Sequence, residues 1–200
     1  MPASFALDKA EREPISAEEA KGELVRLLDG NALLKKGVDT SIFFPIVEKH
    51  FRAAIDAEMT FPSIRPLHLY MSDEGFLVVL TVLYGLLYGA CRKVTAEALE
   101  DGECLALVYK GEPDGNFGSL SEAFSVPDKV IGTLRAIARA AGFTLTFGLS
   151  DEELELRFLF ARFRAVPIST YSCSEEFVRD KMDRAMRWFM QSGVDFFNNL

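Results

Sequence analysis

The side chains in this sequence that could do chemistry are two histidines, three cysteines and a short run of acidic residues. His50 could accept a phosphoryl group, although a lone histidine has many structural roles. The cysteines are odd in number and widely spaced, with no Cys-x-x-Cys pair, so neither a disulfide framework nor a zinc site is predicted. The other candidates of these residue types are His68, Cys91, Cys104, Cys173, Glu152, Glu153 and Glu155.

Motifs that mark common enzyme classes are not found along the chain. There is no G-x-S-x-G elbow, no Walker A loop and no His-Glu-x-x-His helix. The acidic residues near position 153 are interpreted as a solvated turn and strand face rather than an acid-base pair. The sequence therefore gives no positive argument for an enzyme, and no metal site is predicted.

Composition limits the classes of partner and compartment. The chain has 200 residues, a net charge of -8 and 49% apolar residues, which is typical of a soluble globular domain. Its acidity argues against a nucleic-acid partner, because binding to phosphate backbones depends on clustered Lys and Arg. The first residues have neither a basic nor an apolar leader region, so no secretory signal is expected. Together with the cysteine pattern, this predicts a reducing, cytoplasmic location.

An uncharged run from Phe76 to Cys91 requires the most careful interpretation. Its sixteen residues include Gly85 and Gly89 at a spacing that is also found in packed transmembrane helices. As a helix it would span roughly 24 Å, which is shorter than the hydrocarbon core of about 30 Å. We therefore predict a buried helix of a soluble domain from Asp73 to Thr95, opened by Ser72, in which both glycines allow close packing.

Periodicity and turn residues place the other elements around this helix. We predict helices from Ser16 to about Asp29, from Thr40 to Glu58, from Val126 to Gly142 and from Ser172 to about Ser192. The predicted strands are Leu67–Met71, Glu103–Lys110, Phe143–Leu149 and Glu153–Phe163, and Leu154, Leu156, Phe158 and Phe160 form the buried face of the last one.

The order of these elements resembles the ATP-binding domain of sensor histidine kinases, within the GHKL superfamily that also contains gyrase, heat-shock chaperones and mismatch-repair proteins. Leu80 to Thr95 (LTVLYGLLYGACRKVT) is similar to the N box of that family, roughly L-x-N-L-L-x-N-A-x-K-x-T. The resemblance covers about Val38 to Phe163. It implies an α+β fold, a two-layer α/β sandwich with helices on one face of a mixed sheet. The implied organisation is an N-terminal helical extension (1–37), a degenerate kinase-like domain (38–165) and a C-terminal amphipathic helix (166–200).

The sequence departs from this family at the residues that would bind nucleotide. The magnesium-binding Asn of the N box is matched by Gly89, which offers no oxygen ligand, and the first Asn is matched by Gly85. The glycine-rich lid is replaced by SLSEAFSVPDK, which contains no glycine. No cofactor is therefore expected, with ATP and magnesium as the alternative.

Three residues match positions that contact the nucleotide in the family, and they could form a residual nucleotide cleft. Arg92 lies at a position where the family often contacts phosphate, and Asp114 and Gly118 fit the adenine-reading D-x-G-x-G motif, in which Asn116 replaces the middle glycine. The alternatives are a charged helix end at Arg92 and an ordinary hairpin turn at Asp114.

The C-terminal helix carries the remaining indication of function. Its apolar stripe could pack on its own domain, form a protein or homodimer interface, or touch a membrane surface. We predict a non-catalytic signalling regulator or adaptor, a pseudoenzyme without a membrane span that acts through protein contacts. The alternative is a divergent ATP-binding or phosphotransfer protein of a two-component system. The predicted interaction residues are Phe177, Met182, Met186, Trp188 and Phe189.

Overall fold

The computed structural model describes residues 15–54, 62–101, 104–161 and 170–198. Among these residues the helices and strands follow the order α1, β1, α2, β2, α3, β3, β4, α4, α5, β5, β6, α6. The helices are α1 (Ala17–Leu28), α2 (Thr40–Ala54), α3 (Asp73–Ala90), α4 (Leu120–Phe124), α5 (Asp128–Ala141) and α6 (Glu175–Asn198). The strands are β1 (Lys36–Asp39), β2 (His68–Met71), β3 (Cys91–Asp101), β4 (Cys104–Pro113), β5 (Thr144–Leu149) and β6 (Leu154–Ala161).

The main sheet has four strands in the order β3-β4-β6-β5, and helices pack on it, which confirms the predicted α+β class. All described strand pairings are antiparallel, including the separate pair of β1 and β2, whereas a mixed sheet was expected. Two hairpins, β3-β4 and β5-β6, join through the β4-β6 ladder, so the sheet needs no parallel crossover. The alternating buried side chains of β6 are confirmed.

Helix α3 lies at the centre of the core, as expected for the uncharged run. Ser72 caps it by accepting a hydrogen bond from the N–H of Gly75 at 3.2 Å. Its Phe76 ring packs against five aromatic rings, two from α2, two from β6 and that of Phe143 just before β5, with centroids 5.4 to 5.9 Å away. The helix is long and apolar enough to cross a membrane by composition, with a mean hydropathy of 1.4, but 78% of it is buried within the protein.

The C-terminal end of α3 differs from the prediction. The helix ends at Ala90, and β3 begins at Cys91 with no intervening loop. The prediction of a helix through Thr95 was therefore wrong, and Arg92 lies in a strand rather than at a helix end. The β-branched residues Val94 and Thr95 favour a strand, and they pair with Gly111 and Lys110 of β4.

Several other boundaries are confirmed or corrected. The cap of α1 by Ser16 is confirmed, and Gly142 closes α5 with a φ of 97°, a conformation that favours glycine. Helix α5 begins at Asp128 instead of Val126, and helix α4 was not predicted. The expected continuation of α2 to Glu58 lies outside the described residues.

Helix α6 packs on the protein's own core. It begins after Ser174, whose hydroxyl accepts a hydrogen bond from the N–H of Phe177, and not at the predicted cap Ser172. The helix lies against α3, α2, α1 and α5. The apolar stripe of α6 is buried because it packs against the uncharged helix α3.

This packing corrects the prediction that the α6 stripe is an exposed interaction surface. Met182, Met186 and Trp188 are at most 5% exposed, so they are not accessible to a partner on this folded chain. Phe177 is half-buried, and the ammonium groups of Lys36 and Lys181 lie over its ring. The side chain of Phe189 lies outside the described residues.

Candidate functional site

The β3-β4 hairpin brings together two of the three predicted cleft residues. Because Cys91 pairs with Pro113 in an antiparallel ladder, the residue that follows Pro113 lies beside the last residue of α3. The backbone N–H of Asp114 donates to the carbonyl of Ala90 at 2.9 Å. The guanidinium Nε of Arg92 lies 2.7 Å from Oδ1 of Asp114. The hairpin thus places this ion pair at the C-terminal end of α3.

The ion pair of Arg92 with Asp114 is exposed, with 68% and 55% of the two side chains accessible. Each charge satisfies the other, so neither is held free for a ligand. A pair this exposed contributes only about 0.2 to 1 kcal/mol to stability, because water and salt screen it.

Gly89 lies on the exposed side of the last turn of α3. A Cβ built on Gly89 would meet no other heavy atom within 4 Å. The expectation that Gly89 is required for close packing was therefore wrong, whereas Gly85 is half-buried. The protein has space for a side chain at Gly89 but supplies no oxygen ligand there.

Gly118 has a different polar partner from the other two predicted residues. Its backbone N–H donates to Oε2 of Glu122 at 2.8 Å, and the N–H of Glu122 donates to the hydroxyl of Ser119 at 3.2 Å. These bonds form a cap on the short helix α4, where the family would carry a flexible lid. Ser119-x-x-Glu122 is a capping-box spacing, so the sequence did contain the signal for this turn.

A carboxylate at this position disfavours phosphate binding. An anion-binding segment offers free backbone N–H groups, as in a glycine-rich loop. Here the N–H of Gly118 already donates to the negative charge of Glu122. Two elements of the expected nucleotide cleft are thus engaged in internal contacts.

Cys91 lies next to the candidate cleft and is buried. Burial, with a smaller contribution from the nearby charge of Asp114, raises the pKa of the Cys91 thiol to about 11. Since the thiolate is the nucleophilic form, Cys91 is not activated at neutral pH. Its side chain packs closely against Gly111 of β4.

Three tyrosines line the part of α3 and β4 that lies beside the two glycine positions. Tyr84 stacks on Tyr88 with ring centroids 5.0 Å apart, and Tyr109 meets Tyr84 edge-on at 5.3 Å. Burial raises the pKa of Tyr84 and of Tyr109. These phenols remain neutral and form an aromatic cluster, which the sequence analysis did not identify.

His50 faces α6 and is an unsuitable phosphate acceptor. Its Nε2 is buried and has no hydrogen-bond partner in the described structure. Burial is the main reason why the pKa of His50 is lowered. His68 lies 3.7 Å from the carboxylate of Asp39. Within the described ranges, no group of three or more His, Cys, Asp and Glu side chains is placed to hold a metal ion.

A buried polar cluster at the N-terminal end of α3 was also missed by the sequence analysis. Asp73 is 4% exposed, and its Oδ2 lies 2.8 Å from the ammonium of Lys36 and 3.2 Å from the hydroxyl of Tyr171. The neighbouring Glu74 binds Arg26 of α1 and Lys181 of α6. These ion pairs connect the terminal helices to α3, so the cluster has a structural role.

The fold is similar to that of a histidine kinase. The solved structure of histidine kinase AdeS from Acinetobacter baumannii matches this chain with a TM-score of 0.53 and 13% sequence identity. The match covers 72% of this chain and 76% of the AdeS chain. No protein-family model and no curated protein sequence matches the chain. At this identity the likeness shows a histidine-kinase-like fold alone.

Proposed function

We propose that this chain is a degenerate histidine-kinase-like domain that does not hydrolyse ATP and acts through protein contacts as a signalling regulator or adaptor. One observation carries the proposal: Gly89, at the position of the magnesium ligand, has open space and no side-chain oxygen. Magnesium bridging of ATP phosphates needs such an oxygen.

The surrounding polar contacts support the same conclusion. Asp114, at the position expected to read adenine, is paired with Arg92. The N–H of Gly118 donates to Glu122, and α4 occupies the segment expected to form a lid. A nucleotide would have to replace each of these contacts.

The decisive experiment is calorimetric titration of magnesium and ATP into the full chain, with an assay for released phosphate. We expect no heat of binding and no turnover. A matched variant, Gly89→Asn, restores the side-chain oxygen and tests whether Gly89 alone limits binding. Tight, magnesium-dependent binding of ATP by the unaltered chain, with turnover, would disprove the proposal.

A second candidate function is binding of a phosphate-containing nucleotide without magnesium. It is favoured by the exposed position of Arg92, whose ion pair with Asp114 is weak enough to be displaced. In that case Arg92→Ala should abolish binding of a labelled nucleotide, and Asp114→Asn should change it in the opposite sense by freeing Arg92. Equal binding by all three proteins, or no binding by any, would reject this candidate.

A further inference from the structure

Helix α5 presents to solvent a face whose charged side chains are mainly basic. The exposed residues on this face are Asp128, Lys129, Gly132, Arg135 and Arg139. At 3.6 residues per turn, Lys129 lies on one side of the face and the two arginines lie on the other, with Gly132 and the half-buried Ala136 between them. This surface is called the basic face of α5 below.

The cations of the basic face are not used inside the protein. Within the described ranges, Lys129, Arg135 and Arg139 form no ion pair. On α6, by contrast, Lys181 binds Glu74 of the core helix α3. Unpaired cations on one face of a protein with a net charge of -8 favour association with an acidic partner.

Arg135 is held in position by an aromatic ring. Its Cζ lies 5.1 Å from the centroid of the Phe147 ring of β5. Phe147 in turn meets the buried Phe124 edge-on, with ring centroids 6.3 Å apart. The ring attracts the guanidinium but supplies no carboxylate, so the charge of Arg135 remains available to a partner. Holding the side chain in advance lowers the entropy cost of binding that partner.

The row of cations continues past the end of α5 at Lys35. The Cδ of Lys35 lies 3.5 Å from the place that a Cβ on Gly142 would occupy, and Gly142 closes α5. Lys35 also forms no ion pair among the described residues. At about 1.5 Å per residue, the distance along the axis from Lys129 to Gly142 is roughly 20 Å. The row is therefore about as long as three to four turns of a helix.

The centre of the basic face is low and uncovered. A Cβ built on Gly132 would meet no heavy atom within 4 Å, so no other part of the chain lies over this point. Ala136, one turn further on, adds only a methyl group. Since the distance between packed helices depends on the side chains between them, a second helix could lie close to Gly132 and reach the flanking cations.

We infer that the basic face of α5 docks an acidic helix of a partner protein, whose carboxylates pair with Lys129, Arg135 and Arg139. The inference rests on the proposed function and deepens it, because it gives the chemistry of one partner. Nucleic acid and anionic lipid fit less well, since their dense negative charge would also meet the acidic remainder of the chain. The face also lacks the large apolar side chains with which an interfacial helix enters a membrane.

Fluorescence anisotropy tests the inference with a defined probe. The probe is a labelled, alanine-rich helical peptide of about 20 residues that carries Glu at every third or fourth position along one face. We expect saturable binding to the full chain that weakens as the salt concentration rises, because the contacts are ionic. The same peptide with Gln in place of each Glu should not bind.

Charge reversal on α5 locates the binding. Arg135→Glu and Arg139→Glu should each raise the dissociation constant by about threefold to tenfold, and the double variant by more than about tenfold. Arg139→Lys keeps the charge and should bind like the unaltered chain. Arg179→Glu is the matched control, because it changes the net charge equally at an exposed position of α6, and it should alter the affinity by less than about twofold. Circular dichroism of every variant establishes that each one is folded.

Two results would overturn the docking of an acidic helix. One is no binding of the Glu peptide, and the other is an equal loss of affinity in Arg135→Glu and Arg179→Glu. Vesicles that contain phosphatidylserine and a DNA duplex are tested in the same way. If either binds through Arg135 and Arg139 while the peptide does not, the basic face recognises phosphate and the inference is wrong.

Titration of the same protein with magnesium and ATP separates this inference from the proposed function. Binding of the peptide together with ATP turnover would overturn the proposed function and leave the docking face in place. Absence of both would overturn the docking face alone.

Discussion

Gly75 of α3 lies directly against Ala141 of α5, so closely that a Cβ built on Gly75 would be 2.6 Å from the Cβ of Ala141. The two helices approach at the point where the N–H of Ser72 donates to the carbonyl of Ala141 at 2.8 Å. This contact places the start of α3 against the end of α5.

Substitution Gly75→Ala should destabilise the protein by about 1 to 3 kcal/mol, because the added methyl group overfills a packed core. Urea denaturation measures the loss in the free energy of unfolding. Gly132→Ala in α5 is the matched control, since a Cβ there meets nothing within 4 Å. The control should stabilise the protein by up to about 1 kcal/mol through helix propensity. Equal effects of both substitutions would contradict the close approach of α3 and α5.

Substitution Gly111→Ala should also lower stability, because a Cβ at Gly111 would lie 2.8 Å from the Cβ of Cys91 and still closer to its sulfur. We expect a loss of about 1 to 3 kcal/mol. Cys91→Ala in the same chain should recover part of it by removing the sulfur atom, as a double-mutant cycle would measure. Gly89→Ala serves as the control and should be tolerated. A strictly additive cycle would show that Gly111 and Cys91 do not interact.

Substitution Glu74→Gln should destabilise the packing of α1 and α6 on α3. Burial opposes ionisation of Glu74, but hydrogen bonds and charge from Arg26 and Lys181 outweigh it and lower its pKa. Removal of the charge takes away the carboxylate that Arg26 and Lys181 share, at a cost of about 1 to 3 kcal/mol in the free energy of unfolding. The loss of unfolding free energy caused by this substitution, measured by urea denaturation, should be smaller at acid pH. The reason is that Glu74 stabilises the fold above the usual glutamate pKa of about 4.3, and this contribution disappears as pH falls through the lowered value. A pH-independent effect would argue against the ionic contact.

Stability should decline modestly as pH falls below the usual histidine pKa of about 6.5, partly because of His50. Its pKa is lowered in the folded chain, mainly by burial, with opposing charges from Glu175 and Asp183 and like charges from Lys49 and Arg179. Below the usual value the unfolded chain binds a proton that the folded chain disfavours, so unfolding becomes easier. Thermal unfolding of His50→Gln between pH 5 and 8 should show a flatter profile than the unaltered chain. Identical slopes would exclude this role of His50.

Patterns local in sequence predicted the fold well. The cap at Ser72 and the alternation of Leu154 to Phe160 each depend on residues close together in the chain, and the structure contains both. The end of α3 was missed because the N-box resemblance was extended through Val94 and Thr95. The strand propensity of these two residues and their pairing with β4 determine the structure there.

The candidate site was less predictable, because its contacts join distant positions. Arg92 and Asp114 were selected separately, but their ion pair depends on the register of the β3-β4 hairpin, which the sequence does not specify. The burial of Met182 and Trp188 depends on which surface α6 covers. An amphipathic stripe predicts that something covers it, without identifying what does.

The direct junction between Ala90 and Cys91 has a mechanical consequence. With no loop to absorb movement, a rotation at the last turn of α3 would turn the first residues of β3. A ligand bound near Gly89 would then shift the first residues of β3, and any contact that those residues make would alter the affinity for that ligand by the same factor.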